Sequence, residues 1–287
     1  MNRVTALLLA MATLLAHTLA IHLTEAGDFA PPYEAAHRAY HLARVWVREG
    51  VLAWNPGAPG ALNGGLEAYP SPIWIGVAAI AERLYLPVSL FTQVVGIACA
   101  LLTDALSARF DTNRLAGVIP ALLLVTSGTF AAAGPSGTEV PLVALLCTLT
   151  LVAYQLHAPL ALALALGLLV ATRPEGVGFA AVVLGLSIAD RGRKRTGRAR
   201  RSTVPPWWSF APAALVTAAM FYVRDGQGGS FYGGVLGEIA RNASDRSGEG
   251  LAYLLDFAVT TITPALLAIP VPVSYTHLTL PTKVLVC

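Results

Sequence analysis

The sequence predicts an all-α, polytopic transmembrane protein of about eight spans, with a large first external loop carrying an amphipathic juxtamembrane helix. Three observations predict it. Only 12% of the 287 residues are charged and the mean hydropathy is +0.64, against about 25% charged in a soluble domain. Apolar runs recur at 4–23, 72–86, 88–106, 115–133, 140–156, 159–172, 176–189, 209–223 and 251–270, and a span takes roughly 20 such residues. Basic side chains crowd into one loop, 190–202, the mark of a cytoplasmic segment. Soluble, fibrous, disordered and disulfide-rich classes are excluded by the same figures. Cys99, Cys147 and Cys287 form no CxxC or zinc spacing.

In chain order, the run 4–23 follows a single Arg3 and reads as an uncleaved first span. The polar stretch 24–71 is the first external loop. Within it, Pro31-Pro32 precedes a helical pattern that Gly50 ends. Ala36, Ala39, Tyr40, Ala43 and Val47 share one face, and Glu34, His37, Arg38, His41, Arg44 and Arg48 another. This reads as a helix lying on the bilayer surface, with a basic face suited to phosphate. The run 72–86 is short and carries Glu82 and Arg83. If it crossed, loop 190–202 would fall outside, with Arg191, Arg193, Lys194, Arg195, Arg198, Arg200 and Arg201. Basic loops stay inside, so 72–86 is expected to be interfacial or re-entrant. Eight spans then remain, and loops 134–139, 173–175 and 224–250 lie outside with 24–71. The basic loop serves as a topology anchor against lipid phosphates, with no nucleic-acid role. Asp104 and Asp256 lie near opposite ends of their runs, where solvation accounts for both.

The first loop ends on turn formers, aromatics and one acid: Ala53-Trp54-Asn55-Pro56-Gly57, then Glu67-Ala68-Tyr69-Pro70-Ser71-Pro72-Ile73-Trp74. Aromatics anchor at interfaces and also stack on sugar rings. Glu34, His37 and His41 share a face, a workable but weak metal-ligand set.

These residues resemble membrane glycosyltransferases of the C type, which take sugars from polyprenyl-phosphate donors, nearest in pattern to bacterial mannosyl- and arabinofuranosyltransferase-like proteins. The string 67–74 resembles that family's Glu-Gly-Tyr-x-Ser-Pro-Leu-Trp. Ser136-Gly137-Thr138-Glu139 resembles its Ser-Gly-Met-Glu, Thr172-Arg173-Pro174-Glu175-Gly176 its Thr-Arg-Pro-Glu-Gly, and Phe231-Tyr232-Gly233-Gly234 its Tyr-Tyr-Gly-Asp. The resemblance covers about residues 1–270 in order. One departure stands out: members open the first loop with adjacent acids, whereas Glu25, Asp28 and Glu34 are spread out here.

The resemblance implies a hexosyl- or pentosyltransferase in the cell (plasma or inner) membrane, with its site on the external or periplasmic face. A polyprenyl-phosphate sugar would donate to a glycan, lipid or protein acceptor. The enzyme must deprotonate the acceptor hydroxyl and stabilise the departing phosphate. Asp28 is the expected base, Glu34 its substitute, and Glu139 an assistant that could equally cap the helix after it. Arg173, Arg38 and Arg44 are the expected phosphate ligands. Glu67, Tyr69, Trp74, Glu175 and Tyr232 complete the substrate-binding set. No cofactor is certain; a divalent cation is the alternative to arginine. A transporter or flippase of lipid-linked sugars is the competing class, to be marked by charges at mid-membrane and related halves; a non-catalytic envelope subunit is the third. The string VSYTHLTLPT at 273–282 resembles a translated sequencing adapter. Residues 273–287 are therefore expected to be a non-native tail, and 1–272 the N-terminal part of a longer, truncated enzyme.

Overall fold

The computed structural model describes residues 3–24, 34–50, 52, 71–108, 119–173, 175–195 and 205–225. Among them every regular element is helical. The elements are α1 (Arg3–Thr24), α2 (Glu34–Glu49), α3 (Pro72–Arg83), α4 (Val88–Ser107), α5 (Ile119–Thr126), α6 (Gly128–Ala133), α7 (Val140–Gln155), α8 (Pro159–Thr172), α9 (Gly176–Arg195) and α10 (Ala211–Asp225). Short 3-10 turns cover Gly134–Ser136 and Trp207–Phe210.

Local chemistry sets most boundaries. Gly50 ends α2 in the left-handed region at φ +70°, and its N–H reaches the Trp46 carbonyl at 3.0 Å. Pro72 occupies the first turn of α3, where a missing N–H costs nothing, and the Ser71 hydroxyl accepts from the Trp74 N–H. Two tight turns use the same device without glycine. Tyr85 (φ 56°) closes α3 and His157 (φ 54°) closes α7. In each, the next N–H reaches back across five residues at 2.9 Å, Leu86 to Ala81 and Ala158 to Ala153. A proline one residue further on then starts α4 or α8.

The expected surface helix α2 forms with the expected apolar face, but that face meets protein. Ala36, Tyr40, Leu42 and Ala43 are buried in one cluster with Ile75, Ala78 and Ala79 of α3. The run 72–86 therefore folds as a platform for α2. Its helix of 12 residues spans about 18 Å, short of a hydrocarbon core of about 30 Å. Across the α2–α3 seam, Arg44 and Arg48 both approach Glu82 Oε1, at 3.6 and 3.1 Å.

Helix α4 runs through the middle of the assembly, against α1, α3, α5, the Gly134–Ser136 turn and, most extensively, α7. Gly96 permits this. A Cβ there would stand 2.3 Å from the Gly134 carbonyl oxygen, so only glycine lets the two backbones touch. The run 115–133, expected as one span, is broken: Ile119–Thr126 and Gly128–Ser136 meet at 73°. Ser127 makes the break by capping the next segment, its hydroxyl accepting from Phe130 N–H. A second cluster joins α7, α8, α9 and α10 through Ala153, Leu162, Leu166, Val170, Val183 and Ala213.

Two described helices are long and apolar enough to cross a membrane, Val4–Ile21 and Val88–Ser107, or three if the bent pair forms one span. The apolar helices Val140–Gln155, Pro159–Thr172 and Trp207–Met220 are shorter. The run 251–270 lies outside the described residues. The expected basic loop is helical over 190–195, the end of α9, and there Arg191 is held by its neighbours. It lies 3.7 Å from the centre of the Trp207 ring and donates to the Pro205 carbonyl.

Candidate functional site

Three of the segments singled out in sequence meet at one place. The centre is the loop Ser136-Gly137-Thr138-Glu139, between the 3-10 turn and α7. Gly137 turns the chain at φ 72°, a conformation that favours glycine. Its carbonyl accepts a 2.8 Å bond from Trp74 Nε1 and a longer one, 3.5 Å, from the Tyr40 hydroxyl. Tyr40 also meets the Thr92 hydroxyl of α4 at 2.6 Å. Trp74 is fully buried and Tyr40 nearly so. The loop adds its own ties. The Ser136 hydroxyl lies 2.7 Å from that of Thr138, and donates at 2.7 Å to the Ala133 carbonyl.

So held, the loop presents Glu139 to Arg173. The guanidinium donates two bonds to a single carboxylate oxygen, Oε1, from Nε at 2.9 Å and from Nη2 at 2.6 Å. Glu139 stands at the start of α7 but caps nothing: its side chain makes no bond to the helix N–H groups. Glu139 thus sits at the cap position with its side chain turned to Arg173. Arg173 is set by its own turn, where it leaves α8 in extended conformation and Gly176 N–H returns to its carbonyl at 2.9 Å. A Cβ at Gly176 would sit 2.9 Å from the Leu169 carbonyl, so this turn too needs glycine. Arg173 keeps 37% of its side chain exposed against 11% for Glu139. A guanidinium carries five N–H donors, and among the described residues two of them go to Glu139.

Below Arg173 lies an apolar cleft of about 430 Å³ between α8, α9 and α10, lined by Val170, Val177, Leu184, Phe210 and Ala213 among others. Val170 and Val177 bracket the Arg173 turn.

The other expected site residues fall out as follows. Trp74 is an internal strut, with no ring face left for a sugar. Arg44 shares Glu82 with Arg48 and is turned toward α3. Arg38 and Glu175 are exposed, and among the described residues neither is bonded to the Glu139–Arg173 pair. Glu34 begins α2, but its side chain lies outside the described residues. So do Asp28, Glu67, Tyr69 and Tyr232. Among the described residues no three His, Cys, Asp or Glu side chains cluster as a metal would need. His37 packs edge-on against Tyr40, with ring centres 5.6 Å apart.

Sequence reasoning counted Tyr40 only as an apolar face position. Its hydroxyl was the available signal: a polar tip on a buried stripe needs a partner. Thr92 and Glu82 carried no comparable signal. No family model, curated protein or solved structure matches the chain.

Proposed function

We propose that the chain is a membrane glycosyltransferase that moves a sugar from a polyprenyl-phosphate donor to a cell-envelope acceptor on the external face. The observation that carries the reading is the meeting of Glu139 with Arg173, on a loop gripped by Trp74 and Tyr40. Residues from three strings that resemble the family, far apart in sequence, share one small region. In this reading Arg173 offers its remaining N–H groups to the donor phosphate, whose charge grows as the glycosidic bond breaks. Glu139 holds that guanidinium in place. The base that takes the acceptor proton comes from the first loop, Asp28 or Glu34. The apolar cleft beside the Arg173 turn supplies a place for the isoprenoid chain. Eight spans, with 24–71 outside and 190–202 inside, belong to the same proposal. The bent and short helices α5 to α8 would then cross as broken or tilted segments buried by their neighbours.

The test uses the full chain in membranes with radiolabelled mannosyl- and arabinofuranosyl-phosphopolyprenol and total envelope glycan as acceptor. Transfer is expected, with loss in Arg173→Gln. Transfer that survives Asp28→Asn combined with Glu34→Gln would sink the assignment of the base. A reporter fused after Arg195 should stay cytoplasmic; its appearance outside would refute the eight-span arrangement. One observation favours the transporter reading instead, and it concerns Asp104.

A further inference from the structure

Asp104 was expected to be solvated near the end of its span. It is wholly buried, with 0% exposure, and among the described residues neither carboxylate oxygen has a hydrogen-bond partner. It does not stand alone. The buried face of α4 is polar along much of its length: Thr92, Gln93, Cys99, Thr103, Asp104 and Ser107 all point inward.

The hydroxyls beside Asp104 define what could satisfy it. Thr103 donates its hydrogen to the Cys99 carbonyl at 2.8 Å, and Ser107 donates its own to the Asp104 backbone carbonyl at 2.7 Å. Each hydroxyl has one hydrogen, and both are spent. Neither has a hydrogen left for the carboxylate.

Titratable groups on the helices packed against α4 are engaged elsewhere or carry no positive charge. His17 of α1 meets the Val125 carbonyl at 3.1 Å. Glu82 of α3 holds Arg44 and Arg48, and Arg83 is exposed. On α7, Tyr154 donates to Asp190 at 2.7 Å, Glu139 holds Arg173, and Cys147 is a free thiol. Among the described residues α5, α6 and the Gly134–Ser136 turn bring no charged side chain. The side chains of Arg3 and His22 and the whole of 109–118 lie outside the described residues.

We infer that Asp104 is a buried site for a small monovalent cation, a proton or a sodium ion. A carboxylate in low dielectric with no donor is costly, and one positive charge of small radius relieves it. Intramembrane acids of this kind serve ion-coupled movement. The site is separate from the Glu139–Arg173 region and does not depend on the transferase reading.

Infrared difference spectroscopy tests it, on the full chain in phosphatidylcholine vesicles. Subtracting the Asp104→Asn spectrum isolates one carboxyl among the 16 acidic residues. Asp104→Leu gives the same difference by a second route if the first variant folds poorly. In sodium-free buffer the difference should contain the C=O stretch of a carboxylic acid. If sodium chloride, but not choline chloride, replaces that band by a carboxylate band, the site takes sodium. If the acid band persists in sodium, it takes a proton. A carboxylate band unchanged by sodium, and unchanged from about pH 5 to about pH 8, would overturn the inference. It would mean that a fixed cation of the protein neutralises Asp104.

Discussion

Replacing Trp74 by phenylalanine measures how firmly the Glu139 loop is held. The indole N–H supplies the only short bond to the Gly137 carbonyl among the described residues, 2.8 Å, against 3.5 Å from Tyr40. Removing it costs the net value of a buried hydrogen bond, about 1 kcal/mol, and leaves a buried acceptor underserved at about 1–3 kcal/mol in full. Tyr40 can relax toward that carbonyl, so the lower end applies. The smaller ring, three heavy atoms short, leaves a void worth about 1 kcal/mol. The expected loss is about 2–3 kcal/mol. Tyr40→Phe alone should cost about 1 kcal/mol, since its shorter bond goes to Thr92. Together the changes strip the carbonyl of both donors, so the pair should cost about 1 kcal/mol more than the sum. The assay is dodecyl sulfate titration of the purified chain in mild detergent, followed by far-ultraviolet circular dichroism. A Trp74→Phe loss under about 0.5 kcal/mol, or strict additivity with Tyr40→Phe, would refute the idea that these two side chains hold the loop through one acceptor.

Three further outcomes follow from the same geometry. Glu139→Gln should cost about 1–2 kcal/mol, below the 3–5 of a fully buried pair because Arg173 keeps 37% exposure; under the transferase reading, Arg173→Lys should also lower kcat/KM about tenfold, and unchanged kcat/KM would remove Arg173 from the site. Gly96→Ala sets a Cβ 2.3 Å from the Gly134 oxygen, and since both sides are backbone it should cost about 3 kcal/mol; a melting temperature equal to wild type would show that α4 and the 3-10 turn are not in contact. Burial pushes the Tyr40 phenol above its ordinary value of 10.0, the Thr92 bond pulling the other way. The folded chain then holds that proton more tightly than the unfolded one. Its contribution is full below about pH 10 and fades as the pH rises further, so the stability advantage over Tyr40→Phe should shrink in alkali, and a growing advantage would reverse the assignment.

What could be read in advance was local. The period of α2, its end at Gly50 and the start of α3 at Ser71-Pro72 depend on neighbours within a turn or two, and all were legible. The partner of the apolar face on α2 was not. A stripe of alanines with one tyrosine is equally fit for lipid or for another helix, because periodicity reports burial and not the burying surface. The break at Ser127 was hidden for a different reason. Summed hydropathy over 115–133 is insensitive to a single hydroxyl that caps the next segment, although Thr126-Ser127-Gly128 spelled a local interruption. Asp104 shows the third kind of failure. Distance from the end of an apolar run predicts solvation only if the helix end is free, and α4 is packed on several sides along its length.

The Glu139–Arg173 pair lies beyond any local signal, since 34 residues separate its members. The reason it forms is nevertheless physical. In an apolar surrounding, a loop between two helices has no water to satisfy its backbone, so its carbonyls must find donors on other elements. Gly137 finds them on α2 and α3, the two elements that a count of spans would set aside. Those helices thereby become the support on which Glu139 is fixed. The same constraint explains the glycines at 96 and 176. Each lets a backbone come close enough to bring a polar turn within reach of its partner, and a methyl group at either would push that turn away. The polar site and the tight apolar contacts are thus one arrangement: loosening Gly96 should weaken the Glu139–Arg173 pair from a distance, without touching either residue.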